Sequence, residues 1–150
     1  MNNLKLTELH PKILQWAKEK NLLKLENAPK QYLKLLEEVG ETASAILKND
    51  VEKIKDGIGD IFVVLTIYFN QTNQNSLLKF TEPNLKVNHG IFLYAICGYA
   101  NDTMNENCPF DWLNDLANSL DLDLTECANI AWNEIKNRTG KTVNGTFIKN

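Results

Sequence analysis

The chain has 150 residues, of which 43% are hydrophobic, and a formal net charge of −3. This length supports one domain with a hydrophobic core and is short for two, so we expect a single domain over residues 1–150. The weakly acidic balance and the lone arginine, Arg138, argue against a basic face of the kind that binds duplex nucleic acid.

The cysteines and the apolar segments indicate a reducing setting away from membranes. Cys97, Cys108 and Cys127 are odd in number and form no CxxC pair, which argues against a zinc cluster or a disulfide framework. Residues 1–10 contain no apolar signal core, and no apolar run reaches the roughly 20 residues of a membrane span. We therefore expect a cytoplasmic protein that has no membrane contact.

The first half of the chain predicts three helices. The first begins within Thr7–Pro11, since proline is accepted in a first helical turn, and ends near Asn21. Asn27 and Pro29 open the second, as cap and early-turn residues. Its apolar stripe has spacings of three and four and comprises Tyr32, Leu35, Leu36, Val39, Ala43 and Ile46. A short turn then predicts that a third helix, from about Asp50 to Phe69, returns antiparallel.

The second half predicts a loop, shorter helices and a tail. Residues 70–88 are polar, include Pro83 and are expected to form a loop. Helices are expected over about 90–101, 111–120, and from Thr125 to a point before Gly140. The Asn-Gly pair in 141–149 predicts an extended arm or a small hairpin. The predicted fold class is all-α: an antiparallel helical bundle with an extra helical insertion before the last helix and a short extended C-terminal tail.

Asp60 is the most informative residue of the sequence. It lies in the segment Ile58–Phe69, where apolar side chains would surround it on every side of a helix. An unpaired ionised carboxylate in a buried helix is strongly destabilising, so something must compensate the charge. The compensation is either a cation or, if Asp60 is purely structural, a hydrogen bond to a buried Trp, Tyr or Lys.

A second acidic cluster lies on the preceding helix. Glu38 and Glu41 are three residues apart and share a helix face, as Asp56 and Asp60 do at a spacing of four. Taken alone, the glutamates or Asp56 would be ordinary solvated surface. Because packed helix axes lie about 8–10 Å apart, however, carboxylates from facing helices can meet around one or two Mg²⁺ ions. The sequence therefore predicts a divalent-cation site between the two helices.

Two glycines accompany the aspartates. Gly57 and Gly59 are each unfavourable by about 1 kcal/mol relative to alanine inside a helix. Their presence in one helical turn indicates a close approach of another helix or room for a ligand.

These motifs resemble the MazG-like all-α nucleoside triphosphate pyrophosphohydrolases, which carry EExxE on one helix and a second acidic motif ending in Asp on the next. Here they read Glu37-Glu38-Val39-Gly40-Glu41 and Asp56-Gly57-Ile58-Gly59-Asp60. Ile13–Leu22 and Ala131–Lys141 are similar to the family's first and last helices. The likeness covers about 7–72 and 124–149 and leaves 73–123 as an unrecognised, helical insertion.

The resemblance implies hydrolysis of nucleoside triphosphates, ribo or deoxy, to the monophosphate and pyrophosphate, as house-cleaning of the nucleotide pool. It implies Mg²⁺ as cofactor, with Mn²⁺ able to substitute. The implied metal ligands are Glu38, Glu41, Asp56 and Asp60, and Glu37 or Glu38 would take the proton of the attacking water. The family's usual Glu three positions before Asp60 is Gly57 here, so either Asp56 replaces it or the site has one ligand fewer.

Cationic and amide side chains are expected to bind the substrate phosphates. The candidates are Lys34 on the second helix and Asn133, Lys136 and Arg138 at the end of the last helix. Each can equally be ordinary helix surface, or a charge that complements the dipole at a helix C-terminus.

Other functions remain to be weighed against this one. A di-iron bundle needs two Glu-x-x-His motifs, and neither His10 nor His89 completes one. The same metal site could hydrolyse another nucleotide, such as a signalling nucleotide. The non-enzymatic alternative is a helical interaction protein with a decayed site, which Gly57 would permit and for which 73–123 would be the partner surface.

Assembly into a homodimer or homotetramer is expected. The third helix is apolar all round and few other helices are available to cover it, and the family that the chain resembles forms such oligomers. Base preference does not follow from these motifs, because it depends on the shape of the pocket.

Overall fold

The computed structural model describes residues 3–74, 78, 80–82, 88–102 and 108–150. In this part of the chain, helices precede a single antiparallel hairpin, which confirms the predicted all-α class. In chain order the elements are α1 Leu6–Glu19, α2 Ala28–Leu47, α3 Val51–Gln71, α4 His89–Tyr99, α5 Pro109–Ser119, α6 Leu124–Ile135, β1 Gly140–Val143 and β2 Thr146–Lys149. A 3-10 turn, Leu25–Asn27, leads into α2.

Side-chain caps open α3, α4 and α6. Asp50 caps α3, where its side chain accepts a hydrogen bond of 3.2 Å from the Lys53 N–H. Asn27 is the N-cap residue of α2, as predicted, but its side chain forms no capping hydrogen bond. Its buried amide instead donates to the carbonyls of Asn21 and Leu22, at 3.1 Å each, and so ties the end of α1 to the start of α2.

The predicted loop over 70–88 begins two residues later than expected, because α3 continues to Gln71. Pro83 and the adjoining 84–87, like 75–77 and 79, lie outside the described residues. Asn88 then caps α4 through a 3.0 Å hydrogen bond from the Ile91 N–H to its side chain.

Helix α3 is the buried centre of the fold. Every residue from Ile61 to Phe69 is buried, and the helix is in contact with α1, α2, α5 and α6. A β-carbon at Gly57 would overlap the Thr42 hydroxyl on α2, and one at Gly59 would overlap the backbone carbonyl of Cys127 on α6. The predicted burial of the helix is therefore confirmed, and both glycines are explained by close packing of neighbouring helices.

The buried face of α2 differs from the predicted apolar stripe. The buried residues are Ala28, Gln31, Leu35, Glu38, Thr42 and Ala45. Leu36 is exposed, and the remaining residues of the predicted stripe apart from Leu35 are only half-buried. Three polar side chains, Gln31, Glu38 and Thr42, belong to the buried face in place of part of the predicted stripe.

Helices α4 and α5 lie within the insertion 73–123, whose described part is helical as predicted. They pack against each other, and α5 also packs on α3. The ring of Phe110 on α5 makes edge-to-face contacts with Phe62 and Phe69 on α3, at centroid distances of 5.5 and 5.4 Å. The insertion thus completes the core on one side of α3.

The C-terminal tail forms a hairpin rather than an extended arm. Val143 pairs with Thr146 next to the turn, and Asn144 and Gly145 have positive φ angles of 49° and 80°. Asn-Gly adopts this conformation with little strain, as the sequence indicated. The Thr142 hydroxyl donates a 2.6 Å hydrogen bond to the Lys20 carbonyl, which fastens the hairpin to the end of α1.

Candidate active site

A cavity of about 430 Å³ extends along the groove between α2 and α3 and is bordered by α1, α6 and the hairpin. Its size lies in the range of small-molecule sites. The polar and charged lining from the helices comprises Lys30, Gln31, Lys34, Glu38, Glu41, Asp56, Asp60, Glu134 and Arg138, and Thr146 and Lys149 add to it from the hairpin. The apolar lining comprises Trp16, Leu22, Val63, Val64, Ile67, Ile135 and Phe147, and Gly145 completes the set.

The register of α2 against α3 brings the two acidic clusters together. Thr42 lies against Gly57, and the Gln31 side-chain amide donates to the Val64 carbonyl at 3.4 Å. Since the helices run antiparallel between these two contacts, the glutamates of α2 and the aspartates of α3 lie at the same end of the groove.

All four predicted metal ligands line the cavity, together with the predicted phosphate-binding residues Lys34 and Arg138. Glu37 is not among the lining residues, and its exposed carboxylate pairs with Lys34 at 2.7 Å. Asn133 and Lys136 also lie outside the lining, where the Lys136 ammonium donates to the Asn133 side chain at 2.7 Å. The structure thus brings six of the nine predicted site residues together in one cavity.

Glu38 is buried, with 4% of its surface exposed, and its carboxylate forms a 2.7 Å ion pair with the Lys34 ammonium. Burial raises the pKa of Glu38 above its ordinary value, and the hydrogen bond from Lys34 opposes this rise. Burial lowers the pKa of Lys34, but its hydrogen bonds to Glu37 and Glu38 outweigh that effect and raise it. Lys34 therefore stays charged and occupies the carboxylate of Glu38.

Among the acids that line the cavity, Asp60 has the pKa that is raised most. Asp60 is half-buried, and its pKa rises to about 7, first because of this burial and then because Glu38, Asp56 and Glu134 repel its ionised form. The positive charge of Arg138 offsets only part of this. Within the described part of the chain no Trp, Tyr or Lys donates a hydrogen bond to Asp60, so the purely structural explanation of its burial finds no partner there.

Asp56 shows the same need for a partner. It lines the cavity, and its Oδ1 atom is buried without a hydrogen bond. Gly57 cannot be replaced by the family's usual Glu without collision with Thr42, whereas Asp56 already faces the groove. Asp56 is thus placed to serve where the family pattern has its glutamate.

The residues present fit a hard divalent cation. Such ions bind oxygen ligands, and the cavity supplies carboxylates that repel one another. One of their oxygens, Oδ1 of Asp56, is buried without a hydrogen-bond partner. Among the described residues, however, no three His, Cys, Asp or Glu side chains already surround a common point closely enough to hold an ion. Binding of a cation would therefore require the carboxylates to rotate inward and Lys34 to leave Glu38.

The lining residues that the sequence analysis did not predict include Trp16, Gln31, Glu134 and Phe147. Gln31 carried a readable signal, since it lies in the buried series 31, 35, 38, 42 and 45, which alternates steps of four and three. The other three come from distant parts of the chain and carried no comparable signal.

Comparison with known proteins agrees with this site. Residues 27–87 match the sequence model of the MazG nucleotide pyrophosphohydrolase domain, which reaches 15 residues into the segment that we had not recognised. The chain is also 43% identical over 74 residues to an uncharacterized 18.2 kDa protein from the rep-hol intergenic region of Haemophilus phage HP1. That alignment covers 49% of this chain and 45% of the phage protein.

No solved structure matches the chain. The matched family segment contains α2 and α3 with both acidic clusters and the contacts that set their register. The resemblance is thus confirmed over residues 27–87, the segment that carries the acidic site and that is similar to the MazG domain.

Proposed function

We propose that the protein hydrolyses nucleoside triphosphates to the monophosphate and pyrophosphate and requires Mg²⁺, with Mn²⁺ as a substitute. One observation carries the proposal: the four predicted carboxylates and two of the predicted cationic side chains, Lys34 and Arg138, line a single cavity of ligand size. The match to a pyrophosphohydrolase domain supports hydrolysis of a nucleotide's phosphoanhydride bond, and the cavity supports its location.

Glu38, Glu41, Asp56 and Asp60 are the residues that would hold the cation. A divalent ion bound there neutralises phosphate oxygens and lowers the pKa of a bound water. It also relieves the repulsion that raises the pKa of Asp60, because the carboxylates would then face a positive charge.

The cationic side chains of the cavity would bind the phosphates. Lys34 pairs with Glu38, which lies one helical turn further along α2. When a cation takes its place at Glu38, the Lys34 ammonium would be free to bind a phosphate oxygen. Arg138 is half-buried, and its ion pair with Glu134 is a single contact with a long distance of 3.3 Å. Its guanidinium group can therefore turn to a bidentate contact with phosphate. Lys30 and Lys149 add positive charge to the lining.

Glu38 is the better placed of the two predicted bases. It lines the cavity and is buried, whereas Glu37 projects outside. In the proposed reaction water attacks phosphorus, Glu38 takes the water proton, and the bond between the α- and β-phosphate groups breaks to leave pyrophosphate.

The experiment is a nucleotide panel. The purified protein is incubated with each NTP and dNTP and with signalling nucleotides, with Mg²⁺, with Mn²⁺ and with EDTA. Products are separated by ion-exchange chromatography. We expect a monophosphate and pyrophosphate in equal amounts with a metal ion and none with EDTA. Diphosphate and inorganic phosphate as products would contradict the assigned bond, and turnover of the signalling nucleotides alone would favour the alternative substrate.

A matched pair of variants links the activity to the cavity. Glu38→Gln keeps the size of the side chain but removes its charge, and it should abolish turnover. Glu19→Gln makes the same change on the surface of α1, where Glu19 accepts a hydrogen bond from Gln15, and it should have no effect. If no nucleotide is hydrolysed and calorimetry detects no metal binding, the enzymatic proposal fails and the interaction protein remains.

The interaction-protein alternative loses its main argument. Gly57 would indicate decay only if a glutamate could fit at that position, and Thr42 occupies the space that its β-carbon would need. The glycine is thus accounted for by packing.

We also propose a homodimer or homotetramer. Three leucines on the outer face of α2 and in the turn before it are exposed to solvent: Leu25 at 69%, Leu33 at 57% and Leu36 at 42%. Exposed apolar side chains that lie close together often mark a contact with another protein chain. No described helix combines the length and the apolar character needed to cross a bilayer. Light scattering after size exclusion would test the assembly, and a monomer at micromolar concentration would contradict it.

A further inference from the structure

The cavity changes character along α3. Asp56 and Asp60 line the part near the start of the helix, whereas Val64 and Ile67 line the part near its end. Seven residues separate Asp60 from Ile67, which corresponds to about 10 Å along the helix axis. The far part of the cavity therefore lies well away from the carboxylates and has a different chemistry.

Trp16 is linked to this part of the cavity through the hairpin: its ring contacts Phe147, and the hairpin turn at Gly145 lies against Lys30, the residue before Gln31, which bonds Val64. The Trp16 indole also has an unmet hydrogen bond. The residue is 8% exposed and lines the cavity, and its indole Nε1–H is buried without an acceptor. Buried donors in folded proteins are almost always paired. An unpaired donor on a cavity wall thus points to an acceptor atom that a ligand brings.

Two neighbours hold this part of the cavity in shape. The Phe147 ring on the hairpin meets the Trp16 ring edge-to-face at 5.2 Å, and the Thr142 hydroxyl fastens the hairpin to the end of α1. Gln31 is 7% exposed and makes only a long 3.4 Å hydrogen bond to the Val64 carbonyl. Its amide therefore offers an acceptor and a second N–H to a ligand next to Val64.

On the basis of the proposed function, we infer that Trp16, Gln31 and Phe147 form the subsite for the nucleobase. The Trp16 N–H donates to a ring nitrogen or carbonyl oxygen of the base, and Gln31 supplies a second polar contact. A planar base with few polar atoms matches apolar walls that carry a neutral donor, whereas phosphates match Lys34 and the cation held by the carboxylates. Trp16 is thus a specificity-determining residue, and the hairpin is part of the site.

The first test compares two ligands on two variants. Titration calorimetry with Mg²⁺ measures binding of a dNTP analogue whose α,β-bridging oxygen is replaced by nitrogen, and of inorganic tripolyphosphate, which has no base. Trp16→Phe should weaken the analogue about 3- to 10-fold, as expected for one lost hydrogen bond, and leave tripolyphosphate unchanged. Trp112→Phe is the matched control, since Trp112 packs on Tyr99 away from the cavity lining. It should change neither.

The second test leaves Trp16 in place and remains valid if Trp16→Phe does not fold. The chain has three tryptophans, so Trp112→Phe with Trp132→Phe leaves Trp16 as the single fluorophore. The dNTP analogue should quench or shift its emission, and tripolyphosphate should not.

The outcomes separate this inference from the function on which it rests. Equal weakening of both ligands by Trp16→Phe would make Trp16 structural, and no weakening, or no fluorescence response to the base, would place the base elsewhere. Either result overturns the subsite while the wild-type protein still binds nucleotide. If the wild type binds neither ligand, the proposed function itself fails and the subsite with it.

Discussion

The two sides of α3 are built on opposite principles. Toward α5, Phe62 and Phe69 meet Phe110 edge-to-face, and each of these rings is at most 3% exposed. Toward the cavity, the same helix presents Asp60, whose pKa is raised to about 7, and Asp56, which has a buried oxygen without a partner. A fully packed side can therefore stabilise a helix whose other side carries carboxylates that repel one another or lack hydrogen-bond partners.

Asp60→Asn tests the cavity side of α3 and should have the largest effect. Activity should fall by more than about a hundredfold, the upper range for loss of an indirect partner of a metal site. Folding should survive and improve. At pH 8 in EDTA the variant should gain between about 1 and 4 kcal/mol in free energy of unfolding, because the buried charge is gone. Urea unfolding and the pyrophosphate assay measure both, and an unfolded variant would show that Asp60 is structural.

The pH dependence of the wild type belongs to the same prediction. The folded protein holds the Asp60 proton up to about pH 7, whereas the unfolded chain releases it near the ordinary pKa of 3.8. The folded state thus binds more protons between these values, so metal-free stability should fall as the pH rises from about 4 to 7. The fall should be shallower in Asp60→Asn, where the raised pKa of Glu38 still acts in the same direction.

Phe110→Ala tests the packed side of α3. Removal of a fully buried ring costs about 3–5 kcal/mol of stability, through lost contacts and the cavity left behind. Turnover per folded molecule should be unchanged, because Phe110 does not line the cavity. Thermal unfolding followed by circular dichroism, with activity measured well below the transition, checks this. Loss of activity in the folded variant would mean that the two sides are not independent.

Gly57→Ala and Gly40→Ala form a matched pair on the helices that carry the site. A β-carbon at position 57 collides with Thr42, and the overpacking should cost about 1–3 kcal/mol. A β-carbon at position 40 meets nothing within 4 Å, so that change should stabilise by up to about 1 kcal/mol. Denaturant midpoints compare the two. Equal effects would contradict the close contact between α2 and α3.

Lys34→Met should have the smallest effect. Lys34 is 48% exposed and pairs with Glu38, so its loss should tighten Mn²⁺ binding without nucleotide about two- to fivefold, within the range of exposed ion pairs. Nucleotide binding should weaken at the same time. Lys53→Met is the control, because Lys53 pairs with Asp50 and does not line the cavity. Unchanged metal affinity in Lys34→Met would show that Lys34 does not compete with the cation.

The acidic site could be predicted because it depends on local rules. Spacings of three and four place Glu38 with Glu41 and Asp56 with Asp60 on shared faces, and a short turn makes the two helices antiparallel neighbours. The burial of α3 followed from its uniform apolar composition. These features need no knowledge of the rest of the fold.

The aromatic part of the cavity could not be predicted in this way. Only tertiary packing brings Trp16, Gln31 and Phe147 to one cavity, since the first and the last are 131 positions apart in the sequence. Tryptophan and phenylalanine also occur in ordinary cores, so their identity carries no signal for a ligand. Gln31 and Thr42 were left out of the predicted stripe of α2, because that stripe was built from apolar residues alone.

The hairpin fastening has a consequence for the stability of the site. A two-stranded ribbon is marginal in water, and this one is held to the helices by the Thr142 hydrogen bond, the Phe147 ring and the seat of Gly145 on Lys30. Its opening free energy should lie far below that of global unfolding. Amide hydrogen exchange would then show the hairpin as a separate cooperative unit, so that one wall of the cavity detaches and reforms while the helices stay folded.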